Sequence, residues 1–169
     1  TTTVLVTFSA PLEEKTLTSR ALLPYIMEKS TAAYPSMKAL REPLETLYDA
    51  GLYADASKFG EEHVISFQLD VVRGDLVRHE TLLEEALDLL EQMIFYPDLT
   101  EGGFREQFVK QEKRLHALRI SSLYDDKMRF AQQRLLELMA PGEAVSLSSL
   151  GTLEALEQIT PVSLRDTYR

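Results

Sequence analysis

Residues 63–71 alternate without a break. His63, Ile65, Phe67, Leu69 and Val71 fall on one face, and Ser66, Gln68 and Asp70 on the other. A period of two is that of a strand with one buried face. LYADASKF, just upstream, reads as a second strand, and Gly60-Glu61-Glu62 between the two predicts a hairpin. Thr2 to Phe8 alternates β-branched and apolar residues and is a third strand. Pro11 to Glu14 turns the chain after it.

The remaining apolar positions recur at helical spacing. Thr16 or Thr18 is placed to cap a helix through SRALLPYIMEK. Pro24 falls among its best core residues, although a proline inside a helix removes one amide donor and costs roughly 3 kcal/mol. A second helix follows Tyr34-Pro35-Ser36, with Leu40, Leu44 and Leu47 on one face and Gly51 as its stop signal. HETLLEEALDLLEQMIF is a strongly periodic helix closed by Pro97. Residues 104–122 form a long helix of mixed acids, bases and apolar residues. Asp125 or Asp126 caps another, with Met128, Leu135, Leu136 and Met139 expected inward and Pro141-Gly142 at its end. Shorter helices start at Thr152 and at Thr160-Pro161, the latter with proline at the first helical position.

The order of strand, two helices, two strands and a helical run predicts an α+β fold. The expected architecture is a two-layer sandwich, an antiparallel sheet with helices mainly on one face. No internal repeat, low-complexity segment or linker interrupts it, so residues 1–169 read as one domain. The chain opens on TTTVLVTFSA without an initiator Met and stops at Arg169 inside a helical pattern; both ends read as cuts from a longer chain.

Charge narrows the function classes. With 18 basic residues against 27 acidic ones the net charge is −9, which argues against a nucleic-acid surface. The absence of cysteine excludes disulfides, thiolate nucleophiles and Cys-based metal sites. No run approaches the ~18 apolar residues of a membrane span. A cytoplasmic location, with no membrane partner, is the default expectation.

Direct catalytic signals are missing. There is no G-x-S-x-G elbow and no glycine-rich phosphate cradle; Gly102-Gly103 is a loop before a helix. His63 reads as a partly buried structural residue on a strand's apolar face. His79 sits at a helix start without the second histidine that a zinc helix requires. Glu112 and His116 stand four apart and could share a helix face and a metal, but a solvated ion pair is the expected role.

Several phrases nonetheless carry a resemblance: TFSAPLEEKTLTSRALLPYIMEKST, YPSMKALREPLETLYDA, EEHVISFQLDVV and FVKQEKRLHALRISSLYDDKMRFAQQRLLELM. Over nearly its whole length the chain resembles the pitrilysin-like, insulinase-type (M16) metallopeptidase family. It is most similar to bacterial members called probable inactive metalloproteases. The resemblance implies the first of two similar domains, lacking its opening and closing strands.

Active members carry H-x-x-E-H on the helix after the second strand. Both histidines bind zinc, and the glutamate serves as general base toward the metal-bound water. A further glutamate, one long helix on, completes the ligands. On this chain the motif falls on ALLPY, so the two histidines become Ala21 and Tyr25 and the glutamate becomes Pro24. The downstream glutamate falls on Arg119, with Leu118 one residue away; neither is acidic. The resemblance therefore implies a chain without catalytic residues, metal or other cofactor, although zinc is expected in active relatives. It also implies peptide or unfolded polypeptide as partner, in a homodimer or in a heterodimer with an active paralogue. An active peptidase with its site elsewhere in a longer chain, or one using Glu112 and His116, is the alternative. A purely structural assembly subunit is another.

Overall fold

A computed structural model describes the whole chain, Thr1–Arg169. Three strands, β1 (Thr2–Pro11), β2 (Gly51–Phe59) and β3 (Glu62–Val71), form an antiparallel sheet in the order β1-β3-β2. The central strand pairs Phe67 with Val6 on one side and Ala54 on the other. The alternation of β3 is realised as read: His63, Ile65, Phe67, Leu69 and Val71 are buried, while Ser66, Gln68 and Asp70 are only half-buried. Gly60, at φ +59, turns the hairpin.

Helices cover the inner face of the sheet. Before the hairpin come α1 (Glu14–Met27) and α2 (Met37–Thr46). After it come the single turn α3 (Gly74–Val77) and α4 (Leu82–Phe95). A two-residue ladder, β4 (Leu99–Thr100) with β5 (Gly103–Phe104), leads into α5 (Glu106–Ser122) and α6 (Lys127–Met139). After a 3-10 turn at Ala144–Ser146, α7 (Leu153–Gln158) and α8 (Pro161–Tyr168) close the chain. Helices α1 and α4 lie on the sheet, and α5, α7 and α8 gather around α1. One core results, with Leu22 and Ile26 meeting Phe67, Leu69, Leu89, Met93 and Leu164. The fold is α+β, as the order of elements predicts.

Several details differ from expectation. Helix α1 begins at Glu14, not after Thr16 or Thr18, with Glu13 in the cap position. Thr18 is instead buried, and its hydroxyl accepts the amide of Thr152 at 3.3 Å. Pro24 does not end the helix, which runs on to Met27. Its ring is wholly buried, so apolar packing offsets the lost bond to the Arg20 carbonyl. Gly51 does not stop α2; Tyr48 and Asp49, both at φ 58, reverse the chain and Gly51 opens β2. Gly102 is in a turn and Gly103 in the short ladder. Helix α4 starts three residues beyond His79.

The largest difference concerns α6. Asp126 caps it as expected, accepting from the amides of Met128 and Arg129 at 3.1 Å. Yet none of its residues is buried: Met128, Leu135 and Met139 are exposed and Leu136 is half-covered. The helix lies beside the Ala144–Ser146 turn rather than on the sheet, so much of its apolar edge stays exposed.

The segment from Leu147 to Thr152 is pressed against α1. Gly151 has φ +77, and a Cβ there would lie 2.0 Å from the Thr18 hydroxyl and 2.8 Å from its Cα. Gly151→Ala is expected to destabilise by about 2 kcal/mol, from overpacking and a strained left-handed backbone. A denaturant titration checks this; a loss below ~0.5 kcal/mol would contradict so tight an approach.

Candidate functional site

The site is built on α1 and α5, which pack side by side. Ala21 and Tyr25 lie one turn apart on α1, Ala21 fully buried and Tyr25 half-buried, with Pro24 beside them. Arg119 lies near the end of α5. Its guanidinium carbon sits 4.0 Å from the centroid of the Tyr25 ring, a cation–π stack. The structure thus brings together Tyr25 and Arg119, 94 positions apart in sequence (119 − 25). Leu118 instead turns outward and is 59% exposed.

Glu112 and three residues that the sequence reading did not select, Asp55, Lys29 and Glu28, complete the arrangement. The Tyr25 hydroxyl donates to Asp55 on β2 at 2.5 Å. Burial, then this bond and the Asp55 charge, push the phenol up to about 12, so it stays neutral. Glu112, two turns before Arg119 on α5, is wholly buried between two cations: Lys29 Nζ is 3.2 Å from one carboxylate oxygen and Arg119 is 3.4 Å from the other. Glu28 accepts the amide of Ala54, and burial raises its carboxyl above the usual range. Asp55 did leave a sequence signal, an acid inside a strand where acids are depleted. Lys29, just past the helix end, left none.

Glu112 and His116 share a face of α5, but not as a solvated pair. Both have no exposed surface. Glu112 is engaged by the two cations, and His116 donates from Nε2 to the Leu150 carbonyl at 2.8 Å. His63 is also fully buried and donates from Nε2 to the Ser149 carbonyl at 3.2 Å. Two buried imidazoles therefore pin one loop, each with an unpartnered Nδ1.

Burial, aided by nearby Arg20, lowers the pKa of His63. Burial also lowers that of His116, where Arg119 adds to the effect while the Leu150 carbonyl and Glu112 oppose it. The unfolded chain takes up these protons below pH ~6.5, whereas the folded chain resists them. Stability is therefore present above pH ~6.5 and lost as pH falls toward the folded values, by up to about 1.4 kcal/mol per pH unit for each histidine. Denaturant titrations at pH 7.5 and 5.5 check this. His116→Asn is expected to flatten the slope; an unchanged slope would remove His116 from the account.

These residues do not fit a zinc ion. Zinc takes nitrogen, sulfur or carboxylate oxygen donors at about 2.0–2.3 Å. Ala21 and Pro24 offer no side-chain donor atom, Tyr25 is a neutral phenol committed to Asp55, and Arg119 is a cation with no acceptor. Nowhere in the chain do three His, Asp or Glu side chains gather as a metal-holding group. No helix is long and apolar enough to cross a membrane.

No protein-family model matches the chain. It is 38% identical over 161 residues to the probable inactive metalloprotease YmfF of Bacillus subtilis (strain 168), a match covering 95% of this chain and 38% of that protein. The crystal structure of a conserved protein from Enterococcus faecalis V583 superposes with a TM-score of 0.90 at 30% identity, covering 98% of this chain and 39% of that one. A peptidase M16 inactive domain from Pseudomonas fluorescens shares the fold, with a TM-score of 0.70 at 14% identity over 98% of this chain and 37% of that one. The chain thus spans less than two-fifths of the length of these relatives. On these likenesses the chain is a homologue of a probable inactive metalloprotease and has the fold of a peptidase M16 inactive domain.

Proposed function

We propose that this domain is a non-catalytic unit of an M16-type assembly. It holds peptide or unfolded polypeptide and helps to form a chamber with another copy or an active paralogue. It would be one of two similar domains in a longer chain. One observation carries the reading. Arg119 lies over the ring of Tyr25, and on the resemblance these two, with Ala21, stand where active members of the family hold zinc. A fixed guanidinium charge there repels a dication and offers it no lone pair. Pro24, at the position of the general base, has no side-chain proton acceptor. The alternative use of Glu112 and His116 is disfavoured by their existing partners, two cations and a backbone carbonyl.

The test mixes purified protein with unstructured peptides and zinc and follows cleavage by mass spectrometry. No chelator-sensitive cleavage is expected. Cleavage by this chain that a chelator abolishes would overturn the non-catalytic reading.

A further inference from the structure

A cleft of about 500 Å³ opens over Tyr25 and Arg119, walled by β2, α6 and the loop at Ser148–Leu150. Three cations reach it, Lys58, Arg119 and Arg129, against one carboxylate, Asp55. Most of these charges are already committed. Lys58 donates to the carbonyls of Val145 and Leu147 at 2.9 and 2.5 Å. Arg129 pairs with Asp126 at 3.3 Å, and Asp55 accepts the Tyr25 hydroxyl.

Arg119 is different. Its sole hydrogen bond to the protein runs from one nitrogen to Glu112 at a long 3.4 Å, and that carboxylate is shared with Lys29. The N–H groups on its other two nitrogens are left without a protein acceptor. The side chain is 35% exposed and lines the cleft, while its guanidinium carbon is held over the Tyr25 ring at 4.0 Å from the centroid. A guanidinium anchored on a ring with N–H groups left free is a ready fork for a planar anion, and a carboxylate matches it with two parallel bonds.

We propose that this cleft receives the carboxylate of a polypeptide, with Arg119 as the binding residue and Tyr25 as its positioning residue. The site rests on the reading of the domain as a holder of peptide, and adds the chemical group that it grips. A volume near 500 Å³ suits a short segment of chain rather than a whole domain.

The test uses the chain with fluorescein-labelled eight-residue alanine–serine peptides and reads anisotropy. One peptide ends in a free carboxylate, a second in an amide, and a third is the amide with one internal glutamate. The free acid is expected to bind roughly tenfold tighter than the amide, the worth of one charge-assisted pair. If the internal glutamate restores the affinity, the site takes acidic side chains as well as chain ends. Arg119→Gln should abolish the difference, and Arg119→Lys should keep part of it, since lysine retains the charge without the fork. The acid–amide comparison needs only the unaltered protein, so a misfolded variant does not spoil it. Equal affinity for acid and amide overturns the carboxylate site and leaves peptide capture standing. A preference for the acid accompanied by zinc-dependent cleavage leaves the carboxylate site standing and overturns the non-catalytic reading. Binding of none of the three peptides overturns both.

Discussion

Lys29→Met is expected to cost about 3–5 kcal/mol of folding stability, more than the removal of the carboxylate that Lys29 faces. The reason is an asymmetry of access to water. Glu112 has no exposed surface, whereas the side chain of Lys29 is 15% exposed and that of Arg119 is 35% exposed. Removing Lys29 leaves a dry carboxylate with one distant partner and no route to solvent. Removing the charge by Glu112→Gln leaves two cations that can swing toward water, and the amide oxygen still accepts from them. That variant should lose only about 1–2 kcal/mol. The double variant, Lys29→Met with Glu112→Gln, should be more stable than Lys29→Met alone, because the stranded charge is gone. Denaturant midpoints of the four proteins decide the matter. A Glu112→Gln loss larger than that of Lys29→Met would show that the cations, not the carboxylate, are the buried partners.

This cluster also marks where sequence reading stops. The alternation of β3, the hairpin at Gly60 and the caps at Ser36, Asp126, Thr152 and Thr160 are local, and each appears where its pattern puts it. Helix α5 is less legible, because burial of Glu112 depends on two cations, one of them 83 residues earlier (112 − 29). An acid four residues before a histidine on a mixed helix looks solvated until its neighbours are known. The α6 stripe misleads in the opposite direction. Met128, Leu135 and Met139 have the spacing of a core face, but spacing only says which residues share a side, not whether anything lies against it. The candidate site divides in the same way. The residue types at 21, 24, 25 and 119 are plain in the sequence. That Arg119 lies over the Tyr25 ring, and that Asp55 accepts the hydrogen bond of the phenol hydroxyl, are facts of packing between distant segments.

If those positions converge as the helices place them, three substitutions should write a metal site into the chain. Ala21→His and Tyr25→His would set two imidazoles one turn apart on α1, the spacing at which helical side chains can share a ligand. Arg119→Glu would replace the repelling charge with a carboxylate, at a position whose present side chain already contacts residue 25. Two nitrogens and one oxygen are a sufficient protein donor set for zinc. Binding that the folded state alone can offer raises stability, by about 2.7 kcal/mol when zinc is at a hundred times its dissociation constant. The unaltered chain should show no such shift. The control is the same pair of histidines with Leu118→Glu, one position away on a side chain that is 59% exposed and turned outward. Thermal unfolding with and without zinc, together with bound metal measured after dialysis, distinguishes the two. Zinc retained by the Leu118→Glu combination and not by the Arg119→Glu one would mean that α5 presents the wrong face to α1, and the assignment of Arg119 would fall. Zinc held only by the Arg119→Glu combination would tie the lack of a metal site in this chain to the side chains at 21, 25 and 119.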